Sequence, residues 1–321
     1  MRRGYIARKT LEALSTLLFV LLFNFVLFRV MPGNPADLIA RGERLTPAQR
    51  VELIEELHLN DSIPAQLPSY LSSTIRGDLG ISYTSGLSVR DTLSEALWPT
   101  VLLVGSATLL AIIVGVWVGI VSGWRQGTGA DKGLLGTSLL FYSVPEGWLA
   151  MVLLLVFGST LELFPLGGYQ SPTEMEGAAH VADVLSHLTL PMLTLALTYF
   201  GEYAIVMRSS LIDVLGEDYL TTVRAKGLPD RLVRRRHAVP NALLPIATMI
   251  FYSIGYVVGG AIIVEAIFGW PGLGRLTYQA IDQQDYPLLQ GIFLIASAAV
   301  IIVNLIADLT YGRLDPRVRE A

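Results

Sequence analysis

Residues 217–245 read EDYLTTVRAKGLPDRLVRRRHAVPNALLP, and this strongly basic segment separates two long apolar runs. Such a charge density cannot lie in hydrocarbon, because each charged residue at mid-bilayer costs about 2.5–3.5 kcal/mol on insertion scales. Its glycine and proline positions predict a helix over residues 218–226, a left-handed helix end at Gly227 and a second short helix after it. Pro240 is expected to interrupt that second helix, and Asn241 to cap the apolar run that follows. We therefore expect a rigid helix–turn–helix element that contacts a soluble partner in the cytoplasm.

Composition places the chain in the membrane. Of its 321 residues, 52% are hydrophobic and only 16% are charged, and the mean hydropathy is +0.54, whereas a soluble domain carries about 25% charged residues. The apolar runs are continuous, unlike the alternating strands of a transmembrane barrel. The absence of cysteine excludes a disulfide framework and a thiolate metal site. These features predict an all-α polytopic membrane protein.

Six apolar runs reach the length of about 20 residues that an α-helix needs to cross a bilayer. They are residues 11–30, 99–121, 133–157, 188–207, 242–268 and 288–309. The first is too long for the apolar region of a signal peptide and no Ala-x-Ala site follows it, so we interpret it as an uncleaved span. The predicted parts are an N-terminal transmembrane helix (1–31), an extracytoplasmic subdomain (32–97), a transmembrane core (98–310) and a cytoplasmic tail (311–321). Within the core, residues 208–240 are the segment predicted to couple to a partner.

The distribution of basic residues predicts the orientation, because short loops rich in Lys and Arg remain in the cytoplasm. The N-terminus has four such residues before the first apolar run, and residues 208–237 have seven. In contrast, residues 158–187 have none and residues 269–287 have only Arg275. Both termini and the basic segment are therefore expected to be cytoplasmic.

Short motifs of a recognisable kind run along the whole chain. In the basic segment they are Asp218-Tyr219, Arg224-Ala225-Lys226-Gly227, His237, Asn241-Ala242 and Pro245. Elsewhere they are Met31-Pro32-Gly33-Asn34-Pro35, Gly77-Asp78-Leu79-Gly80, Glu265 with Phe268, Trp270-Pro271-Gly272-Leu273-Gly274, Asp285-Tyr286-Pro287, and Asp308, Tyr311 and Asp315-Pro316-Arg317 in the tail. On these residues the chain resembles binding-protein-dependent ABC permeases, and among them the dipeptide/oligopeptide/nickel group. One departure is Thr221-Thr222-Val223, where the general ABC loop has Glu-Ala-Ala.

The resemblance implies the type I ABC importer permease fold, with an extra N-terminal span and an extracytoplasmic subdomain. It implies a bacterial inner-membrane subunit that pairs with a second homologous permease, two cytoplasmic ABC ATPase subunits and an extracytoplasmic solute-binding protein. Di- and oligopeptides are the implied cargo, with nickel, glutathione and glycosides as alternatives. The residues implied to couple to the ATPase are Asp218, Tyr219, Arg224, Ala225, Lys226 and Gly227.

The chain itself has no motif for nucleotide or hydrolytic chemistry. Moving a two-state bundle from 1:99 to 99:1 takes about 5.5 kcal/mol, so repeated cycling needs an energy source. None of the chain's three lysines follows a Gly-rich phosphate loop, and neither a Ser/His/Asp arrangement nor HExxH occurs. We therefore predict a non-catalytic subunit whose partners are proteins and membrane lipid rather than nucleic acid, with ATP and Mg bound on the ATPases. No metal is expected, because metal-ligand spacing is absent among His58, His180, His187 and His237.

Three carboxylates lie in or close to the apolar runs: Glu146, Glu202 and Glu265. Charged residues in the membrane usually face the bundle interior or water. We interpret these three as candidates for lining the pathway, where they would meet a cationic group such as a peptide amine. The alternative is that they are protonated or near an interface, which fits Glu265 best. Pro145 and Gly147 are expected to break the third span and open a water-lined kink.

Two other functions stay open from the sequence. A secondary transporter would use Glu146 or Glu202 as a proton relay, and its uptake would survive ATP depletion but collapse with the proton gradient. No inverted repeat of the kind such transporters carry is evident. A non-transporting membrane scaffold would need neither embedded carboxylates nor a paired permease.

Overall fold

The computed structural model describes residues 3–30, 63–173 and 175–314, and these residues are predominantly helical. We number the helices in chain order as α1 (Arg3–Val30), α2 (Ile63–Ile75), α3 (Val89–Trp124), α4 (Gly129–Ser143), α5 (Glu146–Leu153), α6 (Gly177–Leu215), α7 (Asp218–Ala225), α8 (Asp230–Val233), α9 (Val239–Ala242), α10 (Leu244–Val257), α11 (Ile262–Ile267), α12 (Leu273–Asp282) and α13 (Tyr286–Leu314). Two π-helical turns, Leu154–Thr160 and Arg234–Ala238, follow α5 and α8. The motifs predicted at 31–35 and 315–317, His58 and the first half of the predicted subdomain lie outside the described residues.

Four of the helices, α1, α3, α6 and α13, are long and apolar enough to cross a membrane. Two further spans arise if each of two bent helix pairs counts as one crossing. The first pair is α4 with α5, bent by 98°, and the second is the α8–α9 stretch with α10, bent by 47°. Six spans are thus compatible with the helices described, and the predicted all-α membrane fold is confirmed.

Several helices have bounds that differ from the predicted spans. The helix α3 begins ten residues before the predicted start, and the Ser88 hydroxyl lies 3.5 Å from the Asp91 amide as a cap. The prediction of one continuous fifth span over 242–268 is wrong. The helix α10 ends at Val257, and α11 begins at Ile262, because Gly260 adopts a left-handed φ of 74° between them.

The chain divides into two compact units, and the first is drawn from Met1–Thr100, Val258–Ile262 and Pro271–Ala321. Within it, α1 and α13 are joined at both ends. Near one end, Lys9 Nζ lies 3.1 Å from Asp308 Oδ2. Near the other, Asn24 Nδ2 donates to the Gln290 carbonyl at 3.0 Å. These polar contacts fix the register of two otherwise apolar helices.

Asp285 connects two of the sequence motifs within this first unit. It is 1% exposed, and its carboxylate accepts hydrogen bonds from the Ser82 hydroxyl and from the amides of Tyr83 and Thr84 at 3.2 and 3.3 Å. It also accepts from the Leu288 amide at 3.3 Å, which makes it the N-cap of α13. The Asp285-Tyr286-Pro287 motif therefore holds the turn that follows Gly77–Gly80.

The second unit comprises Val101–Val257 and Ile263–Trp270, and a glycine stripe brings two of its helices together. Gly115, Gly119 and Gly123 of α3 face α6. A Cβ at these positions would lie 2.5, 2.6 and 3.1 Å from the carbonyl oxygens of successive α6 turns. This is the small-xxx-small pattern by which membrane helices pack backbone against backbone.

Candidate functional site

The helix α7 is anchored to the second unit by its apolar side chains, of which Leu220 is the most deeply buried and Val223 packs beside it. Leu220 is completely buried, in the same hydrophobic cluster as Met207 and Leu211 of α6. Three of the predicted coupling residues on this helix, Asp218, Arg224 and Ala225, are exposed to solvent. The helix is therefore fixed on its apolar side and presents its polar side outward.

The turn after α7 has the geometry that the sequence predicts. The Lys226 amide donates to the Thr222 carbonyl at 3.2 Å, and the Gly227 amide donates to the Arg224 carbonyl at 2.9 Å. Gly227 has φ of 77°, so the predicted left-handed helix end is confirmed. Nothing lies within 4 Å of the position that a Cβ would occupy, so glycine is required here by backbone conformation and not by space.

The second helix of the basic segment continues through Pro240 by means of a π-helical turn. A proline lacks an N–H, and its ring clashes with the carbonyl four residues earlier. For Pro240 that carbonyl belongs to Arg236, inside the turn Arg234–Ala238, where the wider i→i+5 spacing accommodates the ring. The predicted interruption at Pro240 is wrong, because the chain bends instead at Leu243, between α9 and α10.

Three residues close a hydrogen-bonded ring between α7 and the π-helical turn. Asn241 Nδ2 donates to the His237 carbonyl at 2.8 Å and to the Tyr219 hydroxyl at 2.9 Å. The Tyr219 hydroxyl in turn donates to the same carbonyl at 3.1 Å. The predicted capping role of Asn241 is therefore wrong, because its side chain turns back towards α7. We call these residues the Tyr219–His237–Asn241 ring.

The basic side chains of the segment divide into an exposed group and two arginines that each contact a partner within the chain. The exposed group, which includes two of the predicted coupling residues, is Arg224, Lys226, Arg231, Arg235 and Arg236. Of these two arginines, Arg234 has its guanidinium 5.5 Å from the centre of the Trp124 ring, a cation–π distance. Arg208, at the end of the preceding span, forms an ion pair with Asp131.

Asp131 is a functional candidate that the sequence reading missed. It is 2% exposed. The Arg208 guanidinium donates two parallel hydrogen bonds to its carboxylate, from Nε to Oδ1 at 2.7 Å and from Nη2 to Oδ2 at 2.9 Å. The Gly127 amide donates to Oδ2 at 2.9 Å, and the Ser122 hydroxyl donates to Oδ1. A bidentate, charge-assisted pair of this kind is both strong and directional.

Glu146 stands where the third span is broken, as predicted. The helix α4 ends at Ser143, Pro145 has extended backbone, and Glu146 is the first residue of α5. The Glu146 side chain is half-buried. Gly147 allows the close approach of α11, since a Cβ there would meet Ile263 at 2.9 Å.

Glu202 and Glu265 lie in opposite surroundings. Over residues 186–208 of α6, Glu202 is exposed while every other residue is buried or half-buried. Glu265 is completely buried on α11, so it offers no surface to a solute in this conformation. Within the described residues no cluster of metal-ligating side chains occurs.

Comparison with known proteins gives matches along the whole chain. Residues 81–320 match the family model "Binding-protein-dependent transport system inner membrane component", and residues 1–104 match the N-terminal model for membrane components of such systems. An oligopeptide transport system permease protein of Bacillus subtilis is 34% identical, over 98% of this chain and 99% of its own. A dipeptide transport system permease protein of Alkalihalophilus pseudofirmus is 34% identical, and a glutathione transport system permease protein of Escherichia coli is 33% identical, each with the same coverage.

Proposed function

The chain belongs to the family of binding-protein-dependent transport system inner membrane components, and we propose that it forms half of the translocation pathway of an ATP-driven importer for di- and oligopeptides. The permease is an integral membrane subunit of an ABC transporter. In this proposal a second homologous permease completes the pathway, two cytoplasmic ATPases bind ATP and Mg, and an extracytoplasmic solute-binding protein delivers the cargo. Both termini face the cytoplasm of a bacterial inner membrane.

The proposal for ATPase coupling rests on one observation, the exposed basic face of a helix–turn–helix that is rigidly packed on the spans. Leu220 and Val233 are completely buried and fix α7 and α8 to the hydrophobic cluster of the second unit. The Tyr219–His237–Asn241 ring holds the two halves together. A partner that pushes on the exposed residues would therefore move the helices as a body. We assign this contact to Asp218, Tyr219, Arg224, Ala225, Lys226 and Gly227.

Site-directed cross-linking tests the contact and the orientation together, because the natural chain has no cysteine. Ala225→Cys, on the exposed face of α7, carries a thiol-linked photo-cross-linker in membranes that contain the whole transporter. Its matched control is Ala182→Cys, an exposed position near the start of α6. We expect Ala225→Cys to capture an ABC ATPase, identified by mass spectrometry, and Ala182→Cys not to capture it. Labelling of Ala225→Cys by an impermeant maleimide in intact spheroplasts would refute the cytoplasmic placement.

We propose that Glu146 and Glu202 line the pathway and attract the protonated amine of a peptide. A carboxylate exposed at the middle of an apolar helix is costly against lipid, so it is expected to face water or a partner. Replacement by Gln removes the charge and keeps the shape. We expect Glu202→Gln to raise the KM for a labelled dipeptide, with Glu95→Gln, an exposed carboxylate at the start of α3, as the control. An unchanged KM in Glu146→Gln and in Glu202→Gln would exclude this role.

The cargo is proposed as peptide because of the names of the relatives, which include oligopeptide, dipeptide and glutathione systems. Uptake of a labelled dipeptide, a labelled pentapeptide and labelled glutathione in a deletion strain separates these classes. The energy source is tested in the same cells. Uptake that stops on ATP depletion and persists with a protonophore supports the ABC mechanism, and the reverse pattern supports a proton-coupled transporter.

A further inference from the structure

We propose that the Asp131–Arg208 pair is a positioning element that ties α3 and α4 to α6, so that movement of the basic helix–turn–helix reaches all three together. The inference rests on the proposed ATPase coupling and extends it to residues outside the contact surface. It assigns a role to Asp131, which lies 77 positions before its partner and outside every motif on which the family resemblance depends. Its central observation is a single buried carboxylate on which three segments of the second unit converge.

Each oxygen of that carboxylate is shared between different segments. Oδ1 accepts from Ser122 of α3 and from Arg208 of α6. Oδ2 accepts from Gly127, in the connection between α3 and α4, and from Arg208. Asp131 itself is in the first turn of α4, where Thr128 caps the helix. One side chain thus ties the adjoining ends of α3 and α4 to α6.

The turn of α6 that carries Arg208 is held on its other sides as well. A Cβ at Gly123 would lie 3.1 Å from the Arg208 carbonyl, which shows how closely α3 approaches here. Ser210, two residues further, donates from its hydroxyl to the Ala242 carbonyl of α9 at 2.9 Å. The last turns of α6 therefore connect the Asp131–Arg208 pair at their start with the basic helix–turn–helix at their end.

The chemistry of the pair is suited to transmission. A salt bridge between long exposed side chains is loose, whereas this carboxylate is buried and is held in fork geometry by a planar guanidinium. Lys carries the same charge but a single ammonium, so it cannot make both bonds in one plane. Without the fork, α6 would move with the helix–turn–helix while α3 and α4 lagged behind. ATP would then be hydrolysed with less peptide moved.

The test measures peptide uptake and ATP hydrolysis in the same reconstituted transporter, with the binding protein present. The variants are Asp131→Asn, which removes the charge, and Arg208→Lys, which keeps the charge and loses the fork. The matched control is Asp213→Asn, an exposed carboxylate on α6 nearer to the basic segment. We expect both test variants to lower the peptide transported per ATP by about tenfold, within the range measured for coupling mutations, and the control to leave it unchanged.

The outcomes separate the two levels of the proposal. If the wild-type chain does not co-purify with an ATPase, the proposed function itself fails. If it does co-purify and the variants keep the wild-type peptide-to-ATP ratio, only the transmission role is overturned. A proportional loss of uptake, hydrolysis and assembled complex in both variants would assign the pair to folding alone, and would also overturn it. Because Arg208→Lys keeps the charge of the buried pair, it tests the transmission role even if Asp131→Asn does not fold.

Discussion

The turn at Gly227 allows the lever role of the basic segment to be tested with a defined perturbation. In Gly227→Val the new side chain meets no neighbour within 4 Å, so the expected cost is conformational. A non-glycine residue held at a left-handed φ of 77° pays about 1–2 kcal/mol, and a β-branched residue is at the upper end. That strain corresponds to a factor of about 5–30 in the population of the native turn. We expect peptide uptake to fall at least fivefold while the amount of permease in the membrane is unchanged.

The assay is uptake of a labelled dipeptide into cells, normalised to permease measured by immunoblot. Two controls isolate the conformational effect. Gly227→Asn tolerates the left-handed region and should retain most of the uptake. Gly86→Val places the same strain at φ of 69° in an equally open turn of the first unit, and should leave coupling intact. Equal uptake by the Val and Asn variants at position 227 would refute the reasoning, because strain would then have no consequence for transport.

Three further predictions concern hydrogen bonds and helix packing, two in the second unit and one in the first. Tyr219→Phe removes the hydroxyl of the Tyr219–His237–Asn241 ring at a cost of about 0.5–1.5 kcal/mol, seen as faster amide hydrogen exchange over residues 217–241, and unchanged exchange would contradict it. Gly119→Leu overpacks the contact between α3 and α6 at a cost of about 1–3 kcal/mol and lowers the melting temperature in detergent. Gly105→Leu should leave the melting temperature unchanged, because a Cβ at Gly105 meets nothing within 4 Å. Equal effects of the two leucine variants would argue against backbone packing. Asp285→Ala removes a helix cap at a cost of about 1–2 kcal/mol, and an unchanged melting temperature would count against its capping role.

Local signals in the sequence predicted the local structure well. The left-handed end at Gly227 and the break before Glu146 follow from residues whose backbone preferences are strong. The continuous apolar runs predicted six spans, and the described residues have four long apolar helices, or six if each bent pair counts as one crossing. The bounds were less accurate because hydropathy marks only the part of a helix that is apolar. The helix α6, for example, extends eleven residues before and eight after the predicted 188–207, into polar flanks that remain helical.

Long-range pairing was the main omission. Arg208 entered the sequence analysis only as one of seven basic residues that indicate orientation, and no periodicity connects it with Asp131. The π-helical turn is a second case, because Pro240 predicts a break wherever the preceding turn cannot widen. In contrast, the spacing of Gly115, Gly119 and Gly123 is a pattern in the sequence that indicates close helix packing.

The π-helical turn Arg234–Ala238 has a consequence for protein engineering. Such a turn contains one residue more than the regular helix would need, and its wider winding absorbs that residue. Deleting one of the three consecutive arginines would return the turn to ordinary winding with little rotation of the helices on either side. The ring of Pro240 would then meet the carbonyl that the wider turn now clears, so the deletion is expected to kink the chain at this proline. A one-residue deletion is thus a way to restore a proline break in this element at the loss of a single charge.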